Sequence, residues 1–309
     1  MEIFSILLIV AGLALFEVIS SIDNAIINAE VLSTMKQKAR RWFLFWGILS
    51  SVFLVRGLLP WLIVFLVNPS LGPIGSLLAS FSSDPAIVAS IEKSAPILLI
   101  GGGVFLIFLF FHWFFVEPKH YGIKGEAFIH RHSIWFYAVI SILLTIIVWA
   151  ALERDPNLAL GAVVGSTVFF ITNGFKQNAQ EQEKSLMSSG KSDIAKIFYL
   201  EAIDATFSID GVLGAFAFRL VVPLILLGNG LGAIVVRQVT ISNIDRIKKY
   251  IYLKNGAMYS ILFLGLIMLI DSFGYHIPSW FSPVTTFAIV GYFFFKSKKA
   301  ANLAGMESK

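Results

Sequence analysis

Long apolar stretches recur along almost the whole chain, and they limit its fold more than any other feature. Each is near the ~20 residues that a helix needs to cross a bilayer, and a helix satisfies its own backbone hydrogen bonds in lipid. Only 14% of the residues are charged, against about 25% in a typical soluble domain. The sequence therefore predicts an all-α, polytopic transmembrane helix bundle. We expect about nine spans, at residues 3–31, 42–67, 95–116, 133–151, 157–174, 196–218, 221–241, 256–273 and 283–296.

Lysine and arginine are distributed unevenly between the predicted loops. Nineteen of them fall in alternate loops and the C-terminal tail, three fall on the other side, and Arg56 and Arg237 fall inside spans. The positive-inside rule then places the N-terminus outside and the C-terminus in the cytoplasm. We expect an integral protein of the plasma membrane, which in a bacterium is the inner membrane. Topology explains the net charge of +5 without a nucleic acid partner, and a homo-oligomer in the bilayer is compatible with it.

Two connections organise the chain. Residues 68–94 form a long outer connection, in which we expect a short interfacial helix around Ile74–Phe81. Residues 175–195 are rich in Gln, Lys and Glu and are predicted to form a mobile cytoplasmic linker. This linker separates an N-terminal transmembrane half, residues 1–174, from a C-terminal half, residues 196–309.

The two halves repeat one acidic pattern. Residues 17–24 and residues 204–211 both read [Glu/Asp]-x-x-x-Ser-Ile-Asp-[Asn/Gly]. Each is followed by an intramembrane arginine nine residues after a glycine, Gly47 before Arg56 and Gly228 before Arg237. The first and sixth spans must cross the bilayer in opposite directions, because they are five spans apart. The sequence therefore predicts an inverted-topology repeat, which in secondary transporters places the site at the repeat interface.

Five carboxylates fall well inside predicted spans, and two more, Glu30 and Asp271, lie at span ends, where we expect them to be solvated. A charged carboxylate near the bilayer centre costs ~2.5–3.5 kcal/mol, so we expect the five inner groups to face the bundle interior or a water-filled cavity. Arg56 and Arg237 are expected to balance two of the charges, which leaves up to three for a divalent cation, for protons, or for both. The candidate metal ligands are Glu17, Asp23, Asn24, Glu201, Asp204 and Asp210. The side chains expected to line the site are Ser21, Asn28, Ser208 and Asn229.

The donor atoms of this candidate site are all oxygens. Cysteine is absent from the chain, and no histidine lies in either acidic segment. Oxygen ligands suit Mg²⁺, Ca²⁺ and Mn²⁺ better than Zn²⁺ or Cu⁺. Asp204 and Asp210 are six residues apart, so we expect a local unwinding at Ser208–Gly211, and a break or tilt at Ser20–Asn24. In an alternative interpretation some of these acids, Glu201 above all, only hold helices together.

At these residues the sequence resembles the TerC family of integral membrane proteins. Residues 17–24 are similar to the first acidic motif of that family, and residues 201–210 are similar to its second. Asn229…Arg237 and Arg40…Gly47…Arg56 are similar to the spans that follow those motifs. The resemblance covers most of the chain. It implies a fold related to the LysE-type transporters and export of metal ions, chiefly Mn²⁺.

The chain also departs from the TerC pattern. Gly211 stands where a serine is expected, and the segments 68–94 and 175–195 are longer than expected. These departures indicate a divergent branch of the family.

The function that these features favour is a secondary transporter that exports a divalent metal cation, Mn²⁺ foremost, driven by proton or charge gradients. We expect no enzymatic activity and no catalytic cofactor, and the sequence contains no P-loop for ATP hydrolysis. Two alternatives stay open. One is an exporter of a small organic solute such as an amino acid, and the other is an intramembrane aspartyl protease that uses two membrane aspartates. No Tyr-Asp plus Gly-x-Gly-Asp pairing supports the protease.

Overall fold

The computed structural model describes residues 3–47, 57–58, 61–62, 65, 69–79, 85–188, 192–218, 221–242 and 249–307. The side chains of Asp23, Asn24, Ser208 and Arg237 lie outside that description, and so does the whole of Arg56. Throughout the described ranges the chain forms helices and turns and contains no strand. The predicted all-α fold is therefore confirmed for this part of the chain.

The helices follow one another with short connections. In chain order they are α1 Ile3–Ser20, α2 Ile22–Ser33, α3 Gln37–Trp42, α4 Gly72–Ala79, α5 Pro85–Phe115, α6 Glu126–Arg131, α7 Phe136–Leu152, α8 Pro156–Ser188, α9 Asp193–Phe216, α10 Val222–Ser242, α11 Leu253–Ser272 and α12 Phe281–Glu307. A single π-helical turn, Phe43–Gly47, continues α3.

Several of these helices are suited to a membrane. Among the described residues, five stretches are long and apolar enough to cross one, at Ile3–Ser20, Ser94–Phe115, Ser133–Leu152, Pro156–Asn178 and Leu253–Ser272. A shorter apolar helix covers Val222–Val236. A membrane helix bundle is thus supported by five candidate spans. The count of nine, the inverted repeat and the orientation of the termini stay predictions.

The two acidic segments differ in their backbone. The predicted break at Ser20–Asn24 is confirmed, because α1 ends at Ser20, Ser21 forms a turn and α2 begins at Ile22. The predicted unwinding at Ser208–Gly211 is wrong, because α9 runs without interruption from Asp193 to Phe216. The glycines there serve packing instead: a methyl group added to Gly211 would lie 2.9 Å from Glu17 Oε2.

The connection between the two halves is also more regular than predicted. Residues 175–188 continue α8 as helix, and the mobility and cytoplasmic position of the linker stay predictions. Its Gln, Glu, Lys, Leu and Met residues are strong helix formers, which explains the continuation. The next helix, α9, begins where Ser192 Oγ accepts a hydrogen bond from Ala195 N at 3.3 Å. Within residues 68–94, α4 overlaps the short helix expected around Ile74–Phe81.

The largest hydrophobic core forms around α5, which packs against α11 and α8. Its run Gly101-Gly102-Gly103, a pattern typical of close helix packing, provides both contacts. A methyl group added to Gly101 would lie 3.0 Å from Gly161 O on α8, and one added to Gly103 would lie 2.9 Å from Gly265 O on α11. The acidic segments lie beside this core, with α1 packed along α10 and α2 packed against α9 and α10.

Candidate cation site

Glu17 is fully buried where α1 meets α9 and α10. Ser21, one helical turn later, donates a hydrogen bond from Oγ to Glu17 Oε1 at 2.8 Å. The second carboxylate oxygen lies against Gly211 of α9, and the side-chain stem lies against Gly232 of α10, where an added methyl group would come within 2.6 Å of Glu17 Cβ. Only residues without a side chain leave room for Glu17 here, so the carboxylate is held next to the Asp210–Gly211 backbone.

Asp204 links the two acidic segments directly. Its side chain is buried on α9, and Asn28 of α2 donates a hydrogen bond from Nδ2 to Asp204 Oδ1 at 3.0 Å. The two residues are 176 positions apart in the chain. The structure therefore brings Asn28, a predicted lining residue, into direct contact with Asp204, a predicted ligand.

Asp210 has a partner that the sequence interpretation placed in a cytoplasmic loop. Lys176 of α8 donates from Nζ to Asp210 Oδ2 and forms an ion pair with it. Both side chains are almost removed from solvent, at 13% exposure for Lys176 and 11% for Asp210. Helical spacing could have indicated that Lys176 faces the bundle interior. Phe169, Thr172 and Lys176 share one face of α8, and the first two are buried.

Three polar groups in this region have hydrogen-bonding capacity left over. Among the described residues, no donor reaches Asp210 Oδ1 or Asn28 Oδ1, although both atoms are buried. Asn229 on α10 is fully buried, and neither its Oδ1 nor its Nδ2 has a partner in that part of the chain. Buried polar atoms are nearly always satisfied, so such a group is explained by an ion, by water or by a ligand.

Glu201 lies one turn before Asp204 and contacts a different helix. Its Oε1 is in close contact with Gly47, in the π-helical turn after α3. The counterpart of Gly47 in the second half, Gly228, packs just as closely on Leu13 of α1. In each half, the glycine nine residues before Arg56 or Arg237 therefore packs on the acidic helix of the other half.

The described ligands do not converge on one point. Asp204 and Asp210 contact α2 and α8 respectively, as expected for two faces of a straight helix. Within the described side chains, no group of three or more His, Cys, Asp or Glu is arranged to hold a metal ion. The predicted ligands Asp23 and Asn24, the lining residue Ser208, and the charge-balancing Arg56 and Arg237 lie outside that description.

A second cluster of charges, missed by the sequence interpretation, lies after α5. Glu126 is buried and accepts hydrogen bonds from Tyr259 Oη at 2.7 Å, from Gly122 N at 2.7 Å and from Asn255 Nδ2 at 3.3 Å. Nearby, Glu117 Oε2 accepts from Lys254 Nζ at 2.9 Å. Alternation of polar and apolar residues gave no indication of this cluster.

Two charged groups of this cluster titrate away from their ordinary range. Burial alone would raise the pKa of Glu117, but the hydrogen bond with His112 and the Lys254 ammonium together hold that pKa well below its usual value. Burial lowers the pKa of Lys119 to about 8, and the attraction of Glu126 and Glu117 offsets only part of that shift. The cluster therefore keeps Glu117 ionised and makes the Lys119 ammonium easier to deprotonate.

Comparison with known proteins yields one match. A family model described as a protein of unknown function (DUF475) matches residues 22–303. No curated protein and no solved structure matches the chain. The chemistry of the site therefore has to be interpreted from its own residues.

Proposed function

The chain belongs to the DUF475 family of proteins of unknown function, and we propose that it is a secondary membrane transporter that exports a divalent metal cation, Mn²⁺ foremost. The observation that carries this proposal is the unused oxygen of Asp210. It is buried, it belongs to a carboxylate, and no donor reaches it among the described residues. A cation is the natural partner for a carboxylate oxygen that lacks a donor in a site of low dielectric constant.

The charges of the region support a divalent cation. Glu17, Asp23, Glu201, Asp204 and Asp210 carry five negative charges when ionised. Lys176, together with Arg56 and Arg237 if they reach the site, offsets three. The two charges that remain equal those of one divalent cation. This balance revises the earlier count, which omitted Lys176.

The donor atoms support a hard cation. Next to Asp210, the Glu17 carboxylate lies against Gly211. Asn28 of α2, which contacts Asp204, and Asn229 of α10 add buried amide oxygens that have no donor among the described residues. Carboxylate and amide oxygens are the ligands of Mg²⁺, Ca²⁺ and Mn²⁺. Mn²⁺ is preferred among them because the TerC resemblance implies it, and membership of that family is part of the proposal.

The paired contacts between the halves support a transporter architecture. Gly47 packs on Glu201 and Gly228 packs on Leu13, so each half contacts the acidic helix of the other. The Asn28–Asp204 hydrogen bond crosses the same interface. An inverted repeat with its site between the halves is the arrangement used by many secondary transporters.

The test is Mn²⁺ tolerance in cells that lack their own Mn²⁺ exporters. Expression of the wild-type chain is expected to restore growth at high Mn²⁺, and Asp210→Asn or Asp23→Asn is expected to abolish that effect at equal protein level. Glu153→Gln, at an exposed acid, serves as the matched control. Normal tolerance in both aspartate variants would sink the proposal.

A measurement on purified protein separates the metal from the organic solute. Mn²⁺ is expected to raise the melting temperature of the wild type in detergent, and this shift is expected to vanish in Asp210→Asn. Amino acids are expected to leave the melting temperature unchanged. Stabilisation by an amino acid, with none by Mn²⁺, would replace the proposed substrate with the small organic solute.

A further inference from the structure

Lys176 is a half-buried cation on a helix that belongs to the membrane bundle. It lies within the candidate span Pro156–Asn178 and shares its inward face with Phe169 and Thr172. An ammonium group taken out of water needs a counter-charge, because its desolvation costs several kcal/mol. Asp210 of α9 supplies that counter-charge through Oδ2. The positive charge beside the Asp210 carboxylate is therefore supplied by a side chain of the protein itself, Lys176.

The same carboxylate is the candidate cation ligand with a spare oxygen. Asp210 Oδ2 accepts from Lys176, while Oδ1 is buried with no donor among the described residues. The two oxygens belong to one group, so a metal ion on Oδ1 and an ammonium on Oδ2 would be close neighbours. Two like charges at such a separation repel strongly in a medium of low dielectric constant.

We propose that Lys176 is a tethered competitor for the cation, an inference that rests on the proposed function. When no metal ion is bound, the ammonium neutralises Asp210. When a metal ion binds, it takes over the carboxylate and displaces Lys176 from it. The lysine then lowers the affinity for the cation to a level from which release is feasible, and it keeps the empty site balanced in charge.

The first test measures Mn²⁺ affinity directly. Purified protein is titrated with Mn²⁺, and the free ion is followed by its electron paramagnetic resonance signal. Lys176→Gln removes the competing charge and is expected to lower the Kd at least about tenfold. Lys176→Arg keeps a cation at this position, and its Kd is expected to lie closer to that of the wild type than to that of Lys176→Gln.

Lys196 offers a matched control. It is buried, and its Nζ donates to Thr34 Oγ1 at 2.8 Å rather than to an acid of the site. Lys196→Gln is therefore expected to leave the Kd for Mn²⁺ unchanged. A gain in affinity in both lysine variants would indicate a general loss of positive charge and would overturn the specific role of Lys176.

The second test needs no variant and stands even if Lys176→Gln does not fold. An amine-reactive reagent is applied to the wild type with and without saturating Mn²⁺, and modification is quantified by mass spectrometry. Displacement from Asp210 is expected to raise modification of Lys176 several-fold, while Lys196 stays constant. Equal modification of Lys176 in both conditions would overturn the displacement.

The outcomes separate this inference from the proposed function. If the wild type binds Mn²⁺ and Lys176→Gln binds it equally or more weakly, the competitor role is overturned and the proposed function stands. If neither the wild type nor Lys176→Gln binds Mn²⁺, the proposed function fails and the inference fails with it.

Discussion

Asp210 and Glu126 are both buried carboxylates on helices of the same bundle, but they differ in the hydrogen bonds that their oxygens accept. Glu126 is 2% exposed, and its two oxygens accept three hydrogen bonds, from Tyr259, Gly122 and Asn255. Asp210 is 8% exposed, with one oxygen on Lys176 and the other without a donor among the described residues. The two residues are buried to a similar degree. They differ in that both oxygens of Glu126 accept hydrogen bonds, whereas only one oxygen of Asp210 does so among the described residues.

The difference separates an anchor from a binding group. Glu126 ties the connection after α5 to α11, and both of its oxygens accept hydrogen bonds from the protein. A fully satisfied buried network of this kind makes the structure rigid. Asp210 Oδ1 can still accept a hydrogen bond or bind a cation, because no donor reaches it among the described residues. The Glu17 carboxylate lies close by, against Gly211. Burial of an acid therefore does not by itself indicate a cation site, and the proposed role of Asp210 depends on its unused oxygen.

The largest expected effect comes from removal of the anchor. Glu126→Ala removes the acceptor of three hydrogen bonds and leaves a cavity in place of the side chain. We therefore expect the free energy of unfolding to fall by about 3 kcal/mol. The loss is measured by thermal or denaturant unfolding in detergent and is expected to be the same with and without Mn²⁺.

The control for the anchor is Glu153→Ala, at an exposed helix end. We expect a change within about 0.5 kcal/mol there. An effect of Glu126→Ala no larger than that of Glu153→Ala would remove the contrast between the two carboxylates.

Replacement of the ion pair is expected to have a smaller effect on stability, and of the opposite sign. The double variant Lys176→Met, Asp210→Asn removes both charges of this ion pair. We expect the free energy of unfolding without metal to equal that of the wild type or to exceed it by up to about 2 kcal/mol. The stabilisation by Mn²⁺ is expected to be lost at the same time.

Two comparisons test the double variant. Lys176→Met alone is expected to be less stable than the double variant, because it leaves Asp210 without its counter-charge. Retention of the Mn²⁺ shift in the double variant would show that Asp210 does not bind the cation.

A methyl group beside Glu17 is expected to act on binding more than on folding. In Gly211→Ala the new Cβ would lie 2.9 Å from Glu17 Oε2, so the carboxylate has to move by a few tenths of an ångström. We expect the Kd for Mn²⁺ to rise roughly fivefold, which corresponds to about 1 kcal/mol.

Gly174 on α8 provides the matched glycine, since an added methyl group there meets nothing within 4 Å. Gly174→Ala is expected to leave the Kd unchanged and to raise stability slightly, through the higher helix propensity of alanine. An unchanged Kd in Gly211→Ala would place Glu17 outside the cation site.

The smallest expected effect is the pH dependence of the anchor region. The pKa of Lys119 is lowered to about 8 in the folded chain from its ordinary 10.5. Between these values the unfolded chain binds more protons than the folded chain, so stability is expected to rise with pH from about 8 to 10.5. Melting temperatures across this range measure the effect.

Lys119→Met is expected to flatten this rise, and Lys298→Met, at an exposed lysine of α12, is expected to leave it in place. An equal rise in Lys119→Met would assign the pH dependence to another group.

Much of the fold followed from the sequence because it depends on local rules. Apolar stretches of helical length predicted the helices, and polar residues at Ser20–Asn24 predicted the interruption at Ser21. The helix through residues 175–188 was missed, since a polar composition was interpreted as a linker although its residues favour helix. At Ser208–Gly211, glycine was interpreted as a sign of unwinding, whereas its role there is to admit the Glu17 side chain.

What the sequence determined by itself is the presence of paired acids in apolar helices, because charge in such segments is costly and has to be compensated. Which group compensates Asp210 was decided only by tertiary structure. Lys176 and Asp210 are 34 residues apart on different helices, and their contact depends on how α8 and α9 pack. The saturation of Glu126 likewise depends on donors from a connection and from α11. Helix periodicity identifies the face on which a residue lies, and only packing identifies the atom that it meets.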